Sequence, residues 1–188
     1  MTKVMQLEQA FKEANAEASH LALRTIHTDL RSRVAGALFA IAQQPPYSIF
    51  LRLQNSPTLH ASAFTLLRPL CEAVIKGLWI KLVPTENQIN QYILDGDEPK
   101  STKDMVRLIA SKFQSSSTKI NDKNWKTLSS YVHSNHLQLQ NWLHSIDIEP
   151  HYSDEAIAEL IKLTRLASNL AFHTVHTIST EHYNQATS

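Results

Sequence analysis

Arg68, Glu72 and Lys76 recur at four-residue spacing within the stretch Leu66 to Trp79. On a helix that spacing stacks them along one line. Leu66, Leu67, Leu70, Val74, Leu78 and Trp79 occupy most of the remaining circumference, so the segment is expected to be mostly buried. Charge on such a helix must line a polar cleft or find partners inside the fold, because an unpaired buried charge costs several kcal/mol. Two readings stay open. In one, Arg68 and Glu72 form a structural i,i+4 ion pair; in the other, the stripe is a site in which Arg68 meets an anion and Lys76 supports it.

A second polar stripe lies near the C-terminus. Arg165, Asn169, His173 and His176 fall at i, i+4, i+8 and i+11, one face of a helix, with Ile161, Leu166, Leu170 and Val175 spread over another. A fixed cation, an orienting amide and an imidazole that carries a proton near neutral pH are what a phosphate-handling site needs. A solvated outer face is the competing reading. The ten histidines include two H-x-x-H pairs, His133 with His136 and His173 with His176, and two such helices meeting could supply a tetrahedral zinc site. No H-E-x-x-H motif or Cys pair accompanies them, so surface or hydrogen-bonded histidines are expected, with no metal and no cofactor.

The elements that must position these groups are helical. With three glycines in 188 residues and 43% hydrophobic content, few tight β-turns are available and helix is favoured throughout. The expected fold is all-α: an antiparallel bundle of about four long helices with short connecting ones, in a single domain over 1–183 and a flexible tail over 184–188. Cys71 has no second cysteine to pair with and reads as a small buried hydrophobe. The N-terminus lacks a signal peptide's apolar run, and Arg68, Pro69, Glu72, Lys76 and Lys81 interrupt the most hydrophobic window, so a cytoplasmic protein without a membrane span is expected.

Net charge is +1, so no global field draws the chain to nucleic acid. Local asymmetry remains, with seven basic against two acidic residues from Lys100 to Lys126, and five acids without Lys or Arg from Asp147 to Glu159. The basic stretch is either a solvated face or a phosphate-binding rim.

Apolar residues from Val4 to Gln43 recur at three or four with one slip around Leu21, predicting a long amphipathic helix broken at most once and ended by Pro45-Pro46. A short helix follows over Tyr47 to Gln54. Ser56-Pro57 reads as N-cap and N1 of a segment to Val83, kinked at Pro69 beside Arg68. Thr85 to Gln88 has the form of a capping box for a helix to about Asp95, with a turn at Asp95 to Pro99. Ser101 caps a helix to about Phe113, Asn121 or Asp122 opens one to about Ser145, and Ser153-Asp154-Glu155 opens a long final helix to about Tyr183.

The string Arg68-Pro69-Leu70-Cys71-Glu72-Ala73, then Gly77-Leu78-Trp79, then Leu128-Ser129-Ser130-Tyr131-Val132-His133 resembles an uncharacterised bacterial all-helical family with R-P-L-x-E-A and Y-x-H elements. That family looks like a distant branch of the HEPN superfamily. The resemblance implies a helical bundle, dimerisation, and metal-independent RNA cleavage in toxin–antitoxin or phage-defence systems. The superfamily's usual signature, Arg followed after four to six residues by His, is absent: Arg52 to His60 and Arg165 to His173 each have seven intervening residues. Carried over residue by residue, the resemblance implies a site of Arg68, Glu72 and His133, expected in one pocket. Lys76, His136, Arg165, Asn169 and His173 would bind substrate. Partners would be RNA or a nucleotide, a cognate protein, or a second copy of the chain. The alternative is a noncatalytic interaction module, antitoxin-like or regulatory.

Overall fold

The computed structural model describes residues 3–21, 26, 29–56, 59–96, 101–113 and 152–186. Among them the secondary structure is helical, without a strand, which agrees with the all-α expectation. The helices are α1 (Lys3–Leu21), α2 (Leu30–Ala42), α3 (Gln44–Gln54), α4 (His60–Leu82), α5 (Glu86–Asp95), α6 (Thr102–Phe113) and α7 (Asp154–Ala186). The helix expected over 121–145 lies outside the described residues.

Short-range chemistry sets the boundaries. The slip around Leu21 is a break: α2 starts anew after Asp29, whose carboxylate accepts from the Ser32 N–H at 2.9 Å. Pro45 and Pro46 do not merely end this region. They occupy the first turn of α3, where a missing N–H costs nothing because it would have no intrahelical partner; α3 therefore begins at Gln44, ahead of the expected Tyr47. The expected Ser56-Pro57 start of α4 is also corrected. Leu59 holds the N-cap position without a side-chain cap, and its N–H donates to the Arg52 carbonyl at 3.1 Å, so backbone closes the α3–α4 corner and the helix opens at His60.

Helix α4 continues through Pro69 to Leu82. Pro69 is exposed, and Thr65, whose carbonyl loses its donor four residues earlier, is half-buried. The capping box at Thr85 forms as expected, with Thr85 N–H donating to Gln88 Oε1 at 2.8 Å and Gln88 N–H to Thr85 Oγ1 at 3.4 Å. Gly96 ends α5 at φ +67, a left-handed position that glycine adopts without a Cβ penalty. Ser101 and Ser153 cap α6 and α7 by accepting from Asp104 and Ala156 N–H, each at 3.2 Å.

Helix α4 is the hub, packing on α2, α3, α6 and α7, while α1 lies against α7 and α3. It buries Phe64, Leu67, Leu70, Val74, Ile75, Trp79 and Ile80. Leu67, Leu70, Val74 and Trp79 of the apolar circumference read from sequence therefore lie in the core, with Leu66 and Leu78 half-buried against it. Phe39 of α2 is fully buried and rests on Gly77, where a Cβ would stand 2.7 Å from Phe39 Cε1. Glycine at 77 thus sets the α2–α4 approach. Arg31 clamps the far end of α4, donating through Nη1 to the Ile80 carbonyl at 2.8 Å and through Nη2 to that of Pro84; a cation there satisfies orphan carbonyls and opposes the helix dipole. Among the described residues no helix is long and apolar enough to cross a membrane.

Candidate functional site

The stripe on α4 is present and partly internally neutralised. Arg68 Nε donates to Glu72 Oε1 at 2.7 Å, and the two side chains retain 23% and 29% exposure. The i,i+4 spacing and the shared helix face produce this contact directly. Glu72 takes the guanidinium by Nε in a single contact. Lys76, one turn further on, is half-buried. The charges therefore sit at the margin of the core, where desolvation is incomplete and an ion pair is tolerable. His133 and His136 lie outside the described residues, and so does the expected meeting of Arg68, Glu72 and His133.

Cys71, between Arg68 and Glu72 in sequence, is half-buried. Burial, followed by the neighbouring Glu72 charge, pushes its thiol up to about 12. It stays protonated at neutral pH and is unsuited to nucleophilic work.

The stripe on α7 meets α1. Arg165 Nη2 lies 2.7 Å from Glu13 Oε2, so the cation proposed for phosphate is engaged by a carboxylate of the same chain. Asn169 is half-buried and His173 exposed. Phe172 sits among imidazoles, with ring centroids 5.6 Å from His173, 6.5 Å from His176 and 6.4 Å from His20 of α1. The α7 histidines are thus arranged around an aromatic ring. Among the described residues no three His, Cys, Asp or Glu side chains are grouped to hold a metal ion.

Beside the Arg165 pair lies a polar cluster that sequence reasoning missed. Ser168, 2% exposed, has its Oγ 2.5 Å from Glu17 Oε2 and 3.1 Å from Oε1 of Gln43, itself 4% exposed. Gln43 Nε2 donates to the Ser168 carbonyl at 2.9 Å. Burial is the largest influence on Glu17 and raises its carboxyl above the ordinary 4.5. A Ser168 hydrogen bond opposes this, Glu13 adds to it, and His173 and Arg165 oppose it. The signal available in the sequence was the Glu13, Glu17 pair at i,i+4 beside Ala10, Ala14 and Leu21; nothing pointed to Gln43.

A groove of about 410 Å³ between α2 and α5 is lined by Leu30, Arg33, Val34, Ala37, Leu38, Ile41, Tyr92 and Ile93. Neither polar stripe reaches it.

Fold and site together define an all-helical protein with a half-buried ion pair on its central helix and a polar clasp between its first and last described helices. The chain belongs to the family described as Family of unknown function (DUF6988), whose model matches residues 50–187. No curated protein and no solved structure matches the chain.

Proposed function

We propose that this is a cytoplasmic, dimeric HEPN-like bundle protein that binds RNA or nucleotide phosphate on the α4 stripe, with metal-independent ribonuclease chemistry as its activity. The observation that supports the reading is the Arg68–Glu72 pair. It is held at 2.7 Å on the hub helix and is still about one-quarter exposed, which presents a guanidinium at the edge of the core. In this reading His133 takes the ribose 2′-hydroxyl proton, and the freed oxygen attacks the adjacent phosphorus. Arg68 stabilises the charge that develops on the phosphate, Glu72 orients Arg68, and the 5′-oxygen leaves with a proton from solvent. Lys76 and His136 extend the anion-binding surface.

The second reading is a noncatalytic, antitoxin-like or regulatory module. The Arg165–Glu13 contact favours it, because the α7 stripe then serves to join helices within the chain rather than to bind substrate. Anisotropy and cleavage assays of the full chain with a labelled single-stranded RNA, repeated with Arg68→Ala and His133→Ala, separate the two. The first reading expects binding that weakens with salt, loss of binding in Arg68→Ala, and cleavage lowered about 10²-fold or more in His133→Ala with little change in melting. A parent chain that neither binds nor cleaves RNA removes the enzyme and leaves the module.

A further inference from the structure

Helix α1 has a slender apolar anchor: of its described side chains, Ala10 and Ala14 are buried, with Leu7, Phe11 and Leu21 partly so. Its attachment depends correspondingly on the polar cluster, and there the protons can be counted. The Ser168 carbonyl is an acceptor only, so the 2.9 Å contact from Gln43 fixes the amide with Nε2 on that carbonyl and Oε1 toward Ser168 Oγ. Ser168 has one hydroxyl proton and two oxygens within reach, Glu17 Oε2 at 2.5 Å and Gln43 Oε1 at 3.1 Å. If Glu17 is a carboxylate it takes that proton, and the nearly buried Gln43 Oε1 faces a serine lone pair. If Glu17 carries its own proton, it donates to Ser168 Oγ, Ser168 donates to Gln43 Oε1, and Gln43 donates back to the Ser168 carbonyl. Every group is then satisfied.

We propose that α1 is docked by a proton: Glu17 is a carboxylic acid donating to Ser168, and the junction of α1 with α7 and the α2–α3 corner loosens when Glu17 ionises. The surroundings are consistent with this assignment. Glu13 on the same helix repels the ionised form. From α7, a Ser168 hydrogen bond to the ionised form would favour ionisation most, followed by His173 and by Arg165, which is engaged by Glu13 at 2.7 Å. From the α2–α3 corner the neighbour is the uncharged Gln43, and α3, which packs on α1, brings Tyr47 against Phe11 at a centroid distance of 4.9 Å. Burial outweighs the hydrogen bond and the charges that oppose it, and the carboxyl titrates above 4.5. Because the folded-state value is raised, the stabilisation is fully present below pH 4.5 and is lost as pH rises through the folded value.

The test is a carboxyl ¹³C NMR titration of the full chain, with Glu17 assigned by through-bond connectivity, in the parent and in Ser168→Ala. The expected result is a Glu17 midpoint above 4.5 that moves down in Ser168→Ala, because the acceptor of its proton is gone. Chemical unfolding supplies a second measurement. Relative to Glu17→Gln, whose amide replaces the acid as donor, the parent's unfolding constant should rise by up to about tenfold per pH unit between the ordinary and the folded value. A Glu17 midpoint at or below 4.5, or one that moves up in Ser168→Ala because serine had been donating to a carboxylate, overturns the proposal.

Discussion

Arg165 of α7 and Glu13 of α1 meet at 2.7 Å with side chains 37% and 33% exposed, joining the stretch ahead of the family match to the stretch within it. At that exposure solvent screens the pair, and its worth is roughly 0.2–1 kcal/mol. A double-mutant cycle on Glu13→Gln and Arg165→Gln by urea unfolding should return a coupling in that range at low salt and a smaller one at high salt. A coupling unchanged by salt would show the pair to be effectively buried.

The Arg68–Glu72 contact is shielded more but not enclosed. Removing Glu72 takes the Nε partner from a guanidinium at the core margin, and a hydrogen bond to a charged group is worth about 1.5–3 kcal/mol. Glu72→Ala should destabilise by about that amount, below the roughly 3–5 kcal/mol expected of a fully buried pair. Arg68→Ala/Glu72→Ala together should cost less than the sum of the two, since each single change already removes the contact they share. Denaturant midpoints of the three variants check this.

What the sequence disclosed here was short-range. The Thr85–Gln88 box, the serine caps and the Arg68–Glu72 pair each depend on residues three or four apart, where helix geometry leaves little choice. The break after Leu21 was visible as a slip in periodicity. Pro45-Pro46 read correctly as a stop, since α2 ends at Ala42, but not as the first turn of α3. Proline suits both places, and only the path of the neighbouring chain decides whether a new helix starts there. The Glu17–Gln43–Ser168 cluster joins residues separated by 125 to 151 positions. Periodicity identifies a face but not the face it meets, so these partners had no signature.

Gly77 and Phe39 should behave as one unit. Gly77→Ala drives a Cβ to 2.7 Å from Phe39 Cε1, and overpacking of this kind costs about 1–3 kcal/mol. Phe39→Ala empties the site and should cost about 3–5 kcal/mol. In the Phe39→Leu background Gly77→Ala should cost less than in the parent, because the ring it strikes is gone. Equal costs in both backgrounds, measured by urea unfolding, would mean that the clash is not what sets the α2–α4 spacing.

Cys71 reports on Glu72 without involving any ligand. Burial and then the Glu72 charge push its thiol up to about 12, so at pH 8 the native thiolate fraction, and with it the rate of alkylation, should be about 10³-fold below that of an ordinary cysteine. Unfolding in urea should restore the ordinary rate. Because the folded value is raised, the protonated thiol contributes stability that persists below the ordinary 9.0 and declines as pH climbs toward 12. Glu72→Gln removes the smaller of the two causes and keeps the larger, so native alkylation should quicken modestly while remaining far slower than in urea. If the variant reacted at the unfolded rate, the helix itself would have opened and Glu72 would be holding the core shut; if its rate did not change, the Glu72 charge would not reach the thiol.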